Sequence, residues 1–368
     1  MSTPLPEGHD PAIPAVLPGL DGLRAISILL VMTSHSGLAH LVPGVFGVTL
    51  FFFISGFLIT TLMLAEHRRQ GHLAIGAFYM RRMIRLYPPL MVSILATVVV
   101  MAAFGFFIHP LGVLGALAYL ANYLAIFRPD LVAGLGGQLW SLAVEEHFYF
   151  VYPLLMAVLL KRPRWLLPVL LAICAGSLAV RIFVVIHHPD IAIDYTGKAT
   201  ETRIDSILYG AIAALLWWSA RGRRLMEVLL RPAVLMTALL LLLMTMAWRN
   251  PVFRETFRYS LQGLALIPLV VAATAAGRLP RITALLDGGP MAWIGRLSYS
   301  LYLWHALGLW LPEQFLPAQG PGYLAAVVLG WLLSFALAMA SYRFVEQPFF
   351  ALRKRFGSNI GTTAHGKS

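Results

Sequence analysis

Two ionisable residues share one apolar stretch, LDGLRAISILLVMTSH: Arg24 and His35. They stand eleven positions apart. On a helix this spacing puts both on one face, roughly 16 Å apart along the axis, about half a bilayer. An unperturbed imidazole changes charge near neutral pH, so His35 can act as a general base on a hydroxyl. A titratable group in an apolar segment points to function before packing. For Arg24 the competing reading is equally strong. Asp21 lies three positions earlier and can pair with it, and a long side chain near a helix end can snorkel.

Other polar groups fit around that face. Arg82 and Arg85 open the stretch RRMIRLYPP, three positions apart on one helix face. Two guanidinium groups suit a phosphorylated ligand, and plain membrane anchoring explains them equally well. In QLWSLAVEEHFYFVYPLL, the residues Ser141, Glu145, Tyr149 and Tyr152 descend one helix face. Glu145 or Glu146 beside His35 would fix its tautomer and raise its basicity. Arg203 and Asp205 stand at the start of a later helix, and Tyr302 and His305 share a face further on. Ser141, Tyr149, Arg203, Asp205, Tyr302 and His305 are therefore candidates to hold an acceptor or stabilise an oxyanion. The polar stretch 188–202 is suited to a sugar, or is simply a solvated loop.

These residues need elements to hold them. The chain has 368 residues, 59% hydrophobic and 12% charged, with a mean hydropathy of +0.77. A soluble domain carries about twice that charge. The expected fold class is an all-α polytopic membrane protein. Ten apolar segments are long enough to span, at roughly 18–40, 44–64, 82–107, 138–160, 165–187, 203–220, 232–247, 257–277, 292–311 and 322–345. An eleventh, 111–127, is the doubtful one. If it crosses, the basic clusters Lys161/Arg162/Arg164, Arg221/Arg223/Arg224/Arg231 and Arg353/Lys354/Arg355 all face outward; if it does not, all face the cytoplasm. The positive-inside rule selects the second arrangement. The expectation is ten spans, a re-entrant or interfacial element at 111–127, and both termini cytoplasmic. Residues 1–17 read as a disordered lead without signal-peptide features, 18–350 as the membrane domain, and 351–368 as a basic and then disordered tail. No internal repeat and no fused soluble domain is expected.

The formal net charge of +12 would suggest nucleic acid in a soluble protein. Here most of the basic residues sit between apolar segments, so membrane lipid is the expected neighbour and nucleic acid is not. One cysteine, Cys174, excludes a disulfide framework or a thiolate metal cluster. No phosphate-binding glycine loop or HExxH pattern occurs, and no metal site is expected.

The combined motifs resemble the acyltransferase-3 family of bacterial membrane O-acyltransferases, which modify O-antigens, exopolysaccharides, peptidoglycan and some macrolides. Arg24 and His35 match its basic-residue, ten-spacer, histidine pattern, and Arg82 and Arg85 its RxxR pattern. GVTLFFFISGFLI, LWSLAVEEHFYFVYP, RIDSILYGAIAA, IGRLSYSLYLWH and SYRFVEQP are similar to its other signatures, over about 18–350. One departure is Thr49, where the family commonly has an acidic residue. The resemblance implies a bacterial inner-membrane enzyme that takes an acyl group, usually acetyl, from cytoplasmic acyl-CoA as co-substrate, with no permanently bound cofactor. It implies a glycan or lipid-linked sugar as acceptor. Arg82, Arg85 and Arg24 would hold the donor, and His35 would be the base, oriented by Glu145 or Glu146. An acyl-histidine at His35 is the covalent alternative. Acylation of a small molecule such as a macrolide, and a transporter or flippase, are the competing readings.

Overall fold

The computed structural model describes residues 13–14, 17–39, 42–317 and 319–353. The disorder expected at both termini falls outside these residues, apart from Ile13, Pro14, Leu17 and the last helical turn. Among the described residues the chain is helical, with no strand. In order the helices are α1 (Leu20–Thr33), α2 (Gly44–Gln70), α3 (Ile75–Ala103), α4 (Pro110–Leu117), α5 (Ala121–Phe127), α6 (Pro129–Val132), α7 (Leu139–Leu159), α8 (Leu166–His187) and α9 (Ala192–Lys198). There follow α10 (Thr200–Trp218), α11 (Ala220–Leu229), α12 (Pro232–Ala247), α13 (Pro251–Glu255), α14 (Arg258–Ala273), α15 (Pro280–Leu286), α16 (Gly289–Glu313), α17 (Gly320–Ser341) and α18 (Gln347–Arg353). Pro opens many of them at the first turn, where its missing N–H has no helical partner to lose.

Each of the ten apolar segments holds one long helix. Five of these, α2, α3, α7, α8 and α17, are long and apolar enough to cross a membrane, and α11 with α12, bent by 75°, qualifies as a pair. The others, α1, α10, α14 and α16, are shorter or more polar, for a physical reason. They carry the buried polar groups, among them Arg203, Asp205, Ser298 and His305. Neighbouring helices shield those groups, while Leu95, Val99, Phe183, Ile186, Leu324 and Leu332 on α3, α8 and α17 turn outward. A bundle that hides its polar atoms and exposes apolar side chains is built for lipid. The chain is an all-α, multi-pass membrane protein.

The doubtful segment 111–127 breaks into α4 and α5, eight and seven residues long. These reach about 12 and 10 Å, far short of the bilayer's hydrocarbon core. Tyr119, at φ 57°, makes the break.

Small residues bring the central helices into backbone contact. A Cβ on Gly56 of α2 would fall 1.9 Å from the Ile207 carbonyl oxygen, and one on Gly210 of α10 equally close to that of Phe53. On the other side, a Cβ on Gly295 of α16 would meet the Asp21 carbonyl oxygen of α1 at 1.9 Å. Two helices this close align their side chains along a common seam. α1 ends in a π-helical turn, Ser34–Leu38, in which Gly37 takes φ 79°. Such turns favour functional positions, and His35 lies on this one.

Candidate active site

The seam between α1 and α16 carries a polar contact at each end. At one end the Arg24 Nε donates to Ser298 Oγ at 3.1 Å. At the other, His35 Nδ1 lies 2.9 Å from His305 Nε2, with the two rings inclined by only 5°. His305 Nδ1 lies 2.9 Å from the Tyr302 carbonyl oxygen and 3.2 Å from that of Leu301. A carbonyl only accepts, so the neutral His305 carries its proton on Nδ1. Its Nε2 is then a lone pair and takes the proton of His35 Nδ1. His35 Nε2 is left unprotonated, the form a general base requires.

His305 is fully buried, as expected, but His35 is exposed. The sequence placed His35 within a span. The π turn ends the regular helix after Thr33 and sets the imidazole at its mouth instead. The orienting partner is also different. It is His305, on α16, rather than Glu145 or Glu146. Glu145 is taken up by Ser55 and Tyr149, whose hydroxyls both donate to its Oε1.

A cavity of about 70 Å³ lies between α1, α2, α3, α7 and α16. Most of the expected site residues meet in it: Arg24, Arg82, Arg85, Ser141, Glu145, Glu146, Tyr149 and Tyr302 all line it. The Arg82 guanidinium lies over the Tyr149 ring at 4.5 Å, a cation–π contact that fixes its direction. Arg85 Nε is buried and finds no hydrogen-bond partner among the described residues. At the other end of the cavity Tyr302 OH and Ser141 Oγ are 2.5 Å apart. The Tyr302 ring packs on His305 at 5.6 Å between centroids. The cavity thus runs from three arginines to Tyr302, whose ring packs on His305; His35 and His305 themselves are not part of its lining.

Arg203 and Asp205 lie elsewhere. Asp205 forms a wholly buried ion pair with Arg181 at 2.7 Å and accepts from Ser260 at 2.9 Å. Arg203 is also wholly buried. It donates to Thr49 Oγ1 at 3.0 Å and lies 3.7 Å over the Tyr259 ring, with Phe52 and Trp140 completing an aromatic box. Neither residue lines the cavity. The polar stretch 188–202 is tied down rather than loose. Tyr123 and Tyr195 both donate to Glu201, and burial with that carboxylate pushes both phenols above their ordinary pKa.

Sequence reasoning missed several partners. Ser298 and Glu346, which accepts from Ser300 at the second π turn, sit in quoted motifs but had no role assigned. Ser55, in the GVTLFFFISGFLI stretch, is a further partner without an assigned role. Arg181 carried a usable signal, an arginine inside an apolar segment.

A family model described as an acyltransferase domain matches residues 17–343. The peptidoglycan O-acetyltransferase OatA of Listeria monocytogenes is 28% identical over 352 residues, covering 90% of this chain and 55% of that protein. The O-acetyltransferase OatA of Staphylococcus aureus is 29% identical over 357 residues, covering 91% of this chain and 57% of the relative. The chain spans about half the length of these relatives. No solved structure matches.

Proposed function

The chain belongs to the acyltransferase-3 family, and from that premise we propose that it is a membrane O-acetyltransferase acting on a glycan hydroxyl, with acetyl-CoA as donor. The names of its relatives support an O-acetylated glycan over a macrolide or a transported solute. The observation that carries the reading is the His35–His305 contact, which Tyr302 separates from the arginine-lined cavity.

In this reading Arg82 and Arg85, with Arg24, grip the phosphates of the donor. Arg85, with an unsatisfied Nε, has a donor to spare. The narrow cavity suits the slim pantetheine arm, which carries the thioester toward Tyr302. His35 Nε2 takes the proton of the acceptor hydroxyl as its oxygen attacks the thioester carbonyl. The hydroxyl of Tyr302 or Ser141 donates to the oxyanion. When the intermediate collapses the C–S bond breaks, and the thiolate leaves with the proton held by His35. Glu145 keeps Ser55 and Tyr149 in place rather than taking part.

The loop charges support a bacterial plasma membrane with both termini in the cytoplasm, so that Arg82 and Arg85 meet the donor there. The test is transfer of labelled acetyl from acetyl-CoA to an oligosaccharide by the purified chain in vesicles. Ester-linked label on the sugar supports the reading. Movement of a solute without acyl transfer would replace it with the transporter.

A further inference from the structure

A second cavity, unused by this mechanism, lies at the His35 end of α1. It is larger, about 500 Å³, and is walled by the turn after α1, the start of α2 and the ends of α12, α13 and α14. Ser34, the neighbour of His35, is part of its lining. Three arginines, Arg249, Arg254 and Arg258, line it together with Gln262, and among the described residues no acidic one does. Arg258 and Gln262 are only 8% and 2% exposed. Yet among the described residues Arg258 Nε and Gln262 Oε1 find no hydrogen-bond partner. Arg258 Nη2 donates to Tyr259 OH at 2.7 Å. Among the described residues no ion pair joins Arg254 or Arg258 to a carboxylate.

Buried cations and buried polar atoms are normally paired. Here Arg258 has only the Tyr259 hydroxyl and ring, its Nε and the Gln262 Oε1 are left over, and they face a space large enough for a ligand. We propose that this cavity is the acceptor site and that it recognises an oxyanion carried by the acceptor. That group is a carboxylate on the sugar or the phosphate of its lipid carrier, either of which a guanidinium grips at two points. Gln262 adds an acceptor for a sugar hydroxyl. The identification of the ligand as acceptor rests on the acyltransferase reading; the anion site does not. The two arginine-lined cavities then divide the work. The one lined by Arg24 takes the donor, and the one beside Ser34 presents an acidic saccharide to His35.

The test uses the full chain in neutral detergent, with thermal-shift and fluorescence titrations against glucuronate, inorganic pyrophosphate and glucose. Both anions should bind and glucose should not. Arg258→Gln and Arg254→Gln should each weaken anion binding about tenfold, the size of one lost charged hydrogen bond. Arg254 is only half-buried, so its variant guards against misfolding at Arg258. In transfer assays both variants should lower the preference for a uronate-bearing oligosaccharide over its neutral counterpart, again about tenfold. Anion binding that is absent, or unchanged in both variants, overturns the site. Displacement of the anions by phosphatidylglycerol but not phosphatidylcholine assigns the cavity to a lipid headgroup and overturns its role as acceptor site. Anion binding through the arginines with no transfer to any acceptor leaves the site standing and removes the acyltransferase reading.

Discussion

His35 Nδ1 and His305 Nε2 lie 2.9 Å apart, although 270 positions separate them in the chain. His305 donates from Nδ1 to a carbonyl, so it must accept at Nε2, and His35 must present its own Nε2 as the free base. His305 touches neither donor nor acceptor in this account. It is a positioning residue.

Replacing His305 with Ala should therefore lower kcat by about 100-fold, the low end of what a misplaced general base costs. The KM for acetyl-CoA should not change. Gln keeps an acceptor oxygen near the Nε2 position, so His305→Gln should recover much of the rate. Steady-state kinetics of the two variants decide. Equal losses in both, tracking thermal stability, would reduce His305 to packing.

Arg82 and Arg85 are expected to act on the donor's phosphates alone. Either Ala variant should raise the KM for acetyl-CoA about tenfold or more, by loss of a charged hydrogen bond. Acetyl-pantetheine lacks the nucleotide phosphates, and its turnover should be insensitive to both changes. An equal effect on both donors would place the arginines in the fold rather than in donor binding.

Thr49 gives buried Arg203 one neutral partner, while Arg203 Nε and Nη1 find none among the described residues. Thr49→Asp should supply the missing charge and stabilise the protein by about 1–2 kcal/mol, less than a whole buried pair because a larger group must fit. Thr49→Val should destabilise by about 1–3 kcal/mol, leaving one more donor unpaired. Thermal unfolding in detergent reads both. A fall in stability for Thr49→Asp would show that the aromatic box alone satisfies Arg203.

The Arg181–Asp205 pair is wholly buried and away from the cavity, and we propose a structural role for it. Asp205→Asn leaves Arg181 buried without its counter-charge and should cost about 3–5 kcal/mol, as removal of one partner of a buried pair does. Donor affinity in the fraction that folds should be unchanged. Loss of turnover with full stability would return Asp205 to the chemistry.

A cysteine in place of Arg162 should react with a membrane-impermeant thiol reagent only from the cytoplasmic side, since the loop after α7 is basic. Labelling of intact cells at that position would reverse the orientation and put Arg82 and Arg85 on the wrong face for a cytoplasmic donor.

The parts legible in sequence are those set by helical spacing. Arg24 with His35, Arg82 with Arg85, and Ser141 with Glu145 and Tyr149 are local patterns, and the helices keep them. The charge balance of the loops set 111–127 apart from the spanning segments, but the break at Tyr119 was not legible from it. The pairing of His35 with His305 was not, because it depends on how α1 and α16 pack where Gly295 meets the Asp21 backbone. The same holds for Glu145, whose spacing showed a face but not that Ser55 of α2 would meet it. Arg203 and Asp205 stand two positions apart in sequence, yet on a helix they point to different sides, one to Thr49 and the other to Arg181. Arg254 and Arg258 stood near a helix start, where an arginine reads as ordinary topology. Only the folded chain gathers them around one cavity.

The central claim is that His35 is the base of an acyl transfer. The most direct measurement is transfer of labelled acetyl by purified wild type and His35→Ala, with acetyl-CoA binding measured in the same samples. The account requires turnover in the wild type, its loss by at least about 100-fold in the variant, and equal donor affinity in both. Transfer that survives in His35→Ala would contradict it, and a loss accompanied by lost donor binding would move His35 from the chemistry to the donor site.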